Sequence, residues 1–158
     1  MIDPIQFPKS IVSQLSFSQP PNPVERAILQ YSRGEFLLRA DERFNGRRHF
    51  VAWYTKQCRN WLQRHLSVFA QRLDVKLPPV HVADLGYRWG SCSASQVNFH
   101  WRVIMLPLPM LEYVIVHELA HIQVPNHSSR FWEVVERIEP DYTQKKRWLT
   151  ENGVLYSL

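Results

Sequence analysis

The sequence predicts a compact α+β domain: a helix, a small antiparallel sheet, then further helices. Three observations predict it. Residues 48–73 repeat apolar and aromatic side chains at helical spacing, residues 96–105 alternate like a half-buried strand, and an almost wholly apolar run lies between Pro109 and Pro125. With 158 residues, 45% of them hydrophobic and 13% aromatic, the chain has enough apolar surface for one real core, which argues against disorder.

Residues 1–33 read as an irregular N-terminal arm, because the first 23 are rich in Pro, Ser and Gln and show no period. The domain proper is expected over 34–158. GEFLLRADE, residues 34–42, reads as a strand closed by a turn at Asn45-Gly46. In the helix that follows, Phe50, Tyr54, Cys58, Trp61, His65, Phe69 and Leu73 share one face, while Arg48, Lys56, Arg59 and Arg64 lie elsewhere. Aromatics at that spacing make a core more readily than a base-stacking platform.

Leu77-Pro78-Pro79 ends the helix, and PVHVADL, residues 79–85, offers a short strand. In QVNFHWRVIM, Val97, Phe99, Trp101 and Val103 point one way while Asn98, His100 and Arg102 point the other. The preceding YRWGSCSAS is its hairpin partner, turning near Ser93 to Gln96. Pro107 and Pro109 start the next helix and Pro125 ends it. SSRFWEVVERI forms another helix, stopped by Pro140, and DYTQKKRWLTENG a last one capped at Asn152-Gly153. No internal repeat is present.

Nineteen Lys and Arg against 14 Asp and Glu give +5 and a pI near 9.5. That is a weak pointer to acidic partners, phosphorylated substrates or nucleic acid, and no recognition motif accompanies it. Two cysteines make no disulfide framework and no paired-cysteine metal site. The N-terminus does not read as a signal peptide, and no run is long enough to span a membrane, so a cytoplasmic protein is expected.

The buried helix LEYVIVHELAHIQ poses the sharpest question, since it carries polar groups costing a few kcal/mol each if buried unsatisfied. His117 and His121 stand four residues apart, about 400° of rotation, and share a face. Their imidazoles can reach one ion, and Glu118 on the flank of that face can touch a metal-bound water. This is the H-E-x-x-H arrangement in which the glutamate is a general base. Zinc needs a third protein ligand and an open position. His127, just past Pro125, has the spacing of the third metzincin histidine, but Val124 stands where that pattern has glycine. Glu133 and Glu136 on the next helix compete with it.

HELAHIQVPNHSSRFW, read with RWGSCS and the later PDY…RWL, resembles the YgjP-like metallopeptidase family over residues 48–153. The resemblance implies a zincin-like domain with a small antiparallel sheet, a buried active-site helix and flanking helices. It further implies one zinc ion per chain held by His117, His121 and His127, with Glu118 as the base. More distantly it looks similar to SprT-type proteases, which act on proteins attached to DNA. The implied activity is zinc-dependent hydrolysis of a peptide or protein substrate. The alternatives are hydrolysis of a nucleoside triphosphate such as UTP to its monophosphate and pyrophosphate, or a DNA-associated protease. Arg88 and Ser91 of RWGSCS are expected near the metal as substrate-binding residues. Where the family has Asn before Trp-Arg this chain has His100, expected on the polar side of its strand. Trp89, Trp101 and Tyr142 are expected to pack, and Cys92 to be a small buried residue.

Overall fold

The computed structural model describes Leu15, Ser16 and residues 28–156, and most of the expected arm lies outside these residues. The chain divides into two compact units, the first ending at Tyr54 and the second beginning at Thr55.

In the first unit, β1 (Leu15–Ser16) pairs parallel with β3 (Glu35–Leu38), and β2 (Leu29–Ser32) pairs antiparallel with β3's other edge. Residues 29–32, expected in the irregular arm, are therefore a strand. The hairpin turns through Arg33 and Gly34, both at positive φ (52° and 85°), as a two-residue turn matched to strand twist requires. Gly34 adopts that conformation freely and Arg33 does not, so the turn lacked the Asn-Gly signal by which hairpins are recognised. Phe36, with no exposed surface, packs against Tyr31, Phe50 and Trp53 at ring separations of 4.7, 5.0 and 5.0 Å. The expected turn at Asn45-Gly46 is instead a 3-10 segment, Ala40–Asn45, running into α1 (Gly46–Leu73). Gly46 takes right-handed helical angles, so the helix begins where the turn was expected.

In the second unit, α1 buries Cys58, Trp61, Leu62, Leu66, Phe69 and Leu73. A three-stranded sheet follows, ordered β4 (Val80–Ala83), β6 (Val97–His100), β5 (Gly90–Cys92). β5 and β6 form the expected antiparallel hairpin, with Ser91 opposite Asn98 and the turn closed by Ser93 N–H to Gln96 C=O at 2.9 Å. β4 joins β6 in parallel, which makes the sheet mixed.

The strand expected over 96–105 stops at His100, and Trp101–Met105 wind into a 3-10 turn. His100 is the reason and also a correction. It is 1% exposed rather than on a polar face. Its Nδ1 accepts from the Arg102 N–H at 3.1 Å, and its Nε2 lies 3.2 Å from an Asp84 carboxylate oxygen. A side chain capping the backbone two residues ahead offers an alternative to the ladder and ends it.

Three helices complete the unit: α2 (Leu108–Gln123), α3 (Ser129–Ile138) and α4 (Tyr142–Asn152). α2 has Pro107 at its N-cap and packs against β5, α3 and α4. Its Leu111, Tyr113, Val114, Ile115, Val116, Leu119 and Ala120 are all buried, which its apolar surround predicts. Gly153 is the C-cap of α4, as expected, but in right-handed angles. Its φ and ψ are −58° and −31°, and the chain continues as a 3-10 turn to Tyr156. A Cβ at Gly153 would lie 3.0 Å from the Trp89 ring, so close packing rather than backbone freedom favours glycine there. Among the described residues, no helix is long and apolar enough to cross a membrane.

Candidate metal centre and its cleft

One helical turn carries His117 and His121 onto the same face of α2. The bend at Val124-Pro125, where α2 stops and α3 has yet to begin, brings His127 back to them. One ligand atom from each of the three lies within 4.8 Å of the others. His117 and His127 face each other Nε2 to Nε2 at 3.1 Å. Two nitrogens on one tetrahedral zinc, each about 2.0–2.1 Å from it, lie about 3.3–3.4 Å apart, so this donor set fits such an ion. His121 contributes a second sign of fit. Its Nδ1 lies 3.2 Å from the Val124 carbonyl and donates to it, which fixes the tautomer and leaves Nε2 as a free lone pair. Neither Glu133 nor Glu136 joins the group; both are exposed on α3.

Phe131, fully buried, supports all three imidazoles, with ring separations of 5.0, 4.5 and 4.8 Å to His117, His121 and His127. Trp132 stacks on His127 at 5.6 Å and on Tyr142 at 5.0 Å. Sequence reading gave neither Phe131 nor Trp132 a part in the site; the Phe-Trp pair shortly after the third histidine was the available signal. Burial, then the neighbouring His121 and His127, push the His117 imidazole down to about 3, so it is neutral at ordinary pH, the form a ligand needs.

Glu118 is 7% exposed and stands against the backbone of β5. A Cβ on Gly90 would fall 2.5 Å from its Cγ and 2.6 Å from its Cδ, so glycine is required at that position. Burial pushes the Glu118 carboxyl up to about 7, with the Arg88 guanidinium pulling the other way. A carboxyl balanced near neutrality can both take and give a proton.

A cleft of about 460 Å³ opens beside this carboxyl. It is lined by Arg88, Trp89 and Gly90 from the hairpin, by Tyr113, His117 and Glu118 from α2, and by Lys146, Leu149 and Thr150 from α4, with others. Of the two hairpin residues expected near the metal, Arg88 lines the cleft, whereas Ser91 is absent from the lining and its hydroxyl accepts from Asn98 Nδ2 at 3.2 Å across the hairpin. Alternation explains this, since Gly90 faces Glu118 and the next residue must face away. Lys146 was missed altogether, because nothing in QKKRW separates a cleft lysine from a solvated one. Cys92 is half-buried, and burial, then Glu118, push its thiol up to about 11. Tyr142 stacks on Trp132 and is absent from the cleft lining.

The family described as YgjP-like, metallopeptidase domain, matches residues 18–152. A protein of Escherichia coli (strain K12) described as UTP pyrophosphatase is 37% identical over 49 residues, covering 28% of this chain and 29% of its own length. The match thus spans less than a third of that relative. Among solved structures, the metallopeptidase zymogen of Pyrococcus abyssi abylysin superposes with a TM-score of 0.51 at 24% identity, covering 57% of this chain and 93% of that one. It shares the fold.

Proposed function

The chain belongs to the YgjP-like metallopeptidase family and is a metal-dependent hydrolase; from that premise we propose a zinc-dependent peptidase in which His117, His121 and His127 hold one ion. The observation that carries this reading is the convergence of three imidazole nitrogens within 4.8 Å, beside a buried carboxyl whose proton is held near neutrality.

Zinc bound there would polarise the scissile carbonyl and acidify a water. The remaining chemistry belongs to the protein. Glu118, held against Gly90, takes a proton from the attacking water and returns it to the departing amine nitrogen. Tyr113 has its hydroxyl pushed up to about 12 by burial, then by Tyr142 and Glu118, so it stays a proton-bearing donor in the cleft. β5 lies at an edge of the sheet beside α2, as an extended peptide pairing with a strand would need.

A second reading, nucleoside triphosphate hydrolysis, is favoured by the short stretch shared with the UTP pyrophosphatase and by the two cations of the cleft. The test for both is direct. Gently purified protein should carry near one equivalent of zinc, and the zinc-loaded enzyme should cut unfolded protein or peptides. Glu118→Gln should keep the metal while hydrolysis falls by about 10²–10⁴-fold. Glu118-dependent release of pyrophosphate with peptides untouched would replace the first reading by the second. Protein that refuses zinc would remove both.

A further inference from the structure

We propose that Arg88 and Lys146 form a receptor for the terminal carboxylate of a peptide, so that the enzyme shortens peptides from their C-terminal end. This rests on the peptidase reading and adds the substrate class.

The cleft has two cations and one acid in its lining, and that acid is Glu118. Arg88 comes from the loop before β5 and Lys146 from the first half of α4, so the fold brings together charges far apart in the chain. Both are exposed, and neither takes part in an ion pair among the described residues. Lys145, the neighbour of Lys146, shows the opposite behaviour, paired with Glu139 and Asp141. The Lys146 ammonium rests 4.6 Å above the Trp132 ring, the same ring that stacks on His127, which tethers it at the metal-site end of α4. Arg88 and Lys146 line the same cleft as Glu118 and His117. An anionic group held by the two is therefore next to the reacting centre.

Much of the rest of the wall is apolar or aromatic, from Tyr87, Trp89, Tyr113, Val114 and Leu149, with Gly90, His117 and Thr150 completing it. Such a wall suits the side chain of one terminal residue, with its carboxylate on the cations. A triphosphate asks for more. Arg102, the next basic residue along from Arg88, is engaged otherwise: it donates to the Gly86 carbonyl at 2.7 Å, lies over the Trp89 ring at 5.3 Å, and is absent from the lining. Two cations more than balance a single carboxylate, whereas against a triphosphate they leave one or two of its three or four charges uncompensated.

In the reaction the water oxygen bonds to the carbonyl carbon of the last peptide bond and that carbon–nitrogen bond breaks. Glu118 carries one proton from water to nitrogen, and the second water proton ends on the same amine as ammonium when the new acid ionises. The products are one free amino acid, its carboxylate still on the two cations, and a peptide with a new terminal carboxylate.

The experiment compares an N-acetylated tetrapeptide ending in Phe with its C-terminal amide, by calorimetric binding to the Glu118→Gln protein. The free acid should bind about tenfold tighter or better. Arg88→Gln and Lys146→Gln should each remove most of that preference, Arg88→Lys should keep part of it, and affinity for the amide should hardly change. With the active enzyme, mass spectrometry should show Phe released first from the acid and the amide left intact. Equal affinity for acid and amide overturns the proposal, as does internal cleavage of both at one rate. UTP binding that needs Arg88 and Lys146, without any preference for the peptide acid, overturns it in favour of a phosphate receptor. A protein that binds no zinc yet keeps the acid preference would contradict the peptidase reading and leave the receptor standing, so the two failures are distinct.

Discussion

A single hydrogen atom in place of a side chain fixes the position of the Glu118 carboxyl, the proposed proton carrier. Gly90 leaves room for Glu118, and the added methyl of Gly90→Ala would overlap three of its side-chain atoms at 2.5–2.6 Å. Because that carboxyl is buried, it cannot simply swing into solvent. Hydrolysis by Gly90→Ala should drop on the order of 100-fold, as for a catalytic group displaced by about 1 Å, while zinc content stays at the wild-type level. Loss of zinc along with activity would show that Gly90 holds the helix rather than the carboxyl. His127 has the complementary signature. His127→Ala should weaken zinc binding by more than about 100-fold in a competition assay, with Glu133→Ala and Glu136→Ala unchanged. At this scale the sequence was most legible where spacing alone imposes geometry, as in His117, Glu118 and His121. It was least legible for Ser91, whose direction depends on the strand's phase and not on its motif.

α3 and α4 are joined by a buried pair that holds Lys146 where the cleft needs it. Glu139 caps α3 at 6% exposure and bonds Lys145, at 8%, which also reaches Asp141 at 2.9 Å. Burial alone would depress the Lys145 ammonium; the two carboxylates outweigh it and raise its pKa above the ordinary 10.5. Lys145→Met should destabilise the fold by about 3–5 kcal/mol in urea unfolding, since it strands a buried carboxylate, and adding Glu139→Leu should recover most of the loss. The sign with pH follows from the raised value. The contribution of Lys145 is complete below pH 10.5 and is lost as pH rises through the folded-state value, so wild type and Lys145→Met should converge in alkali. Helix α1 was readable because its apolar periodicity is long, and α2 because its almost wholly apolar run is bounded by prolines. The end of β6 was not, because His100 stops it through a bond from its own ring to the backbone, which a polar residue in an alternating pattern does not advertise.

The whole molecule assembles its cleft from a hairpin, a buried helix and the last helix, and only the first two announce themselves by motif. Lys146 enters through tertiary packing, which explains why one wall of the cleft was invisible in the sequence while the histidine spacing was plain. Binding of an ion to the folded form alone must also stabilise it. At a hundredfold excess of free zinc over its dissociation constant the gain is about 2.7 kcal/mol. Thermal unfolding should therefore shift upward on zinc loading and fall back with chelator, and His127→Ala should abolish the shift. An unchanged midpoint would mean that the three histidines do not close on an ion in the native state.

The two thiols give the enzyme a recognisable inhibitor profile. Cys58 is sealed in the core with its thiol pushed up to about 12, and Cys92 sits at about 11. At pH 7 very little of Cys92 is therefore thiolate, the form that reacts with an alkylating agent. Iodoacetamide should leave the enzyme fully active under conditions where phenanthroline silences it, and storage in air should neither cross-link nor inactivate it.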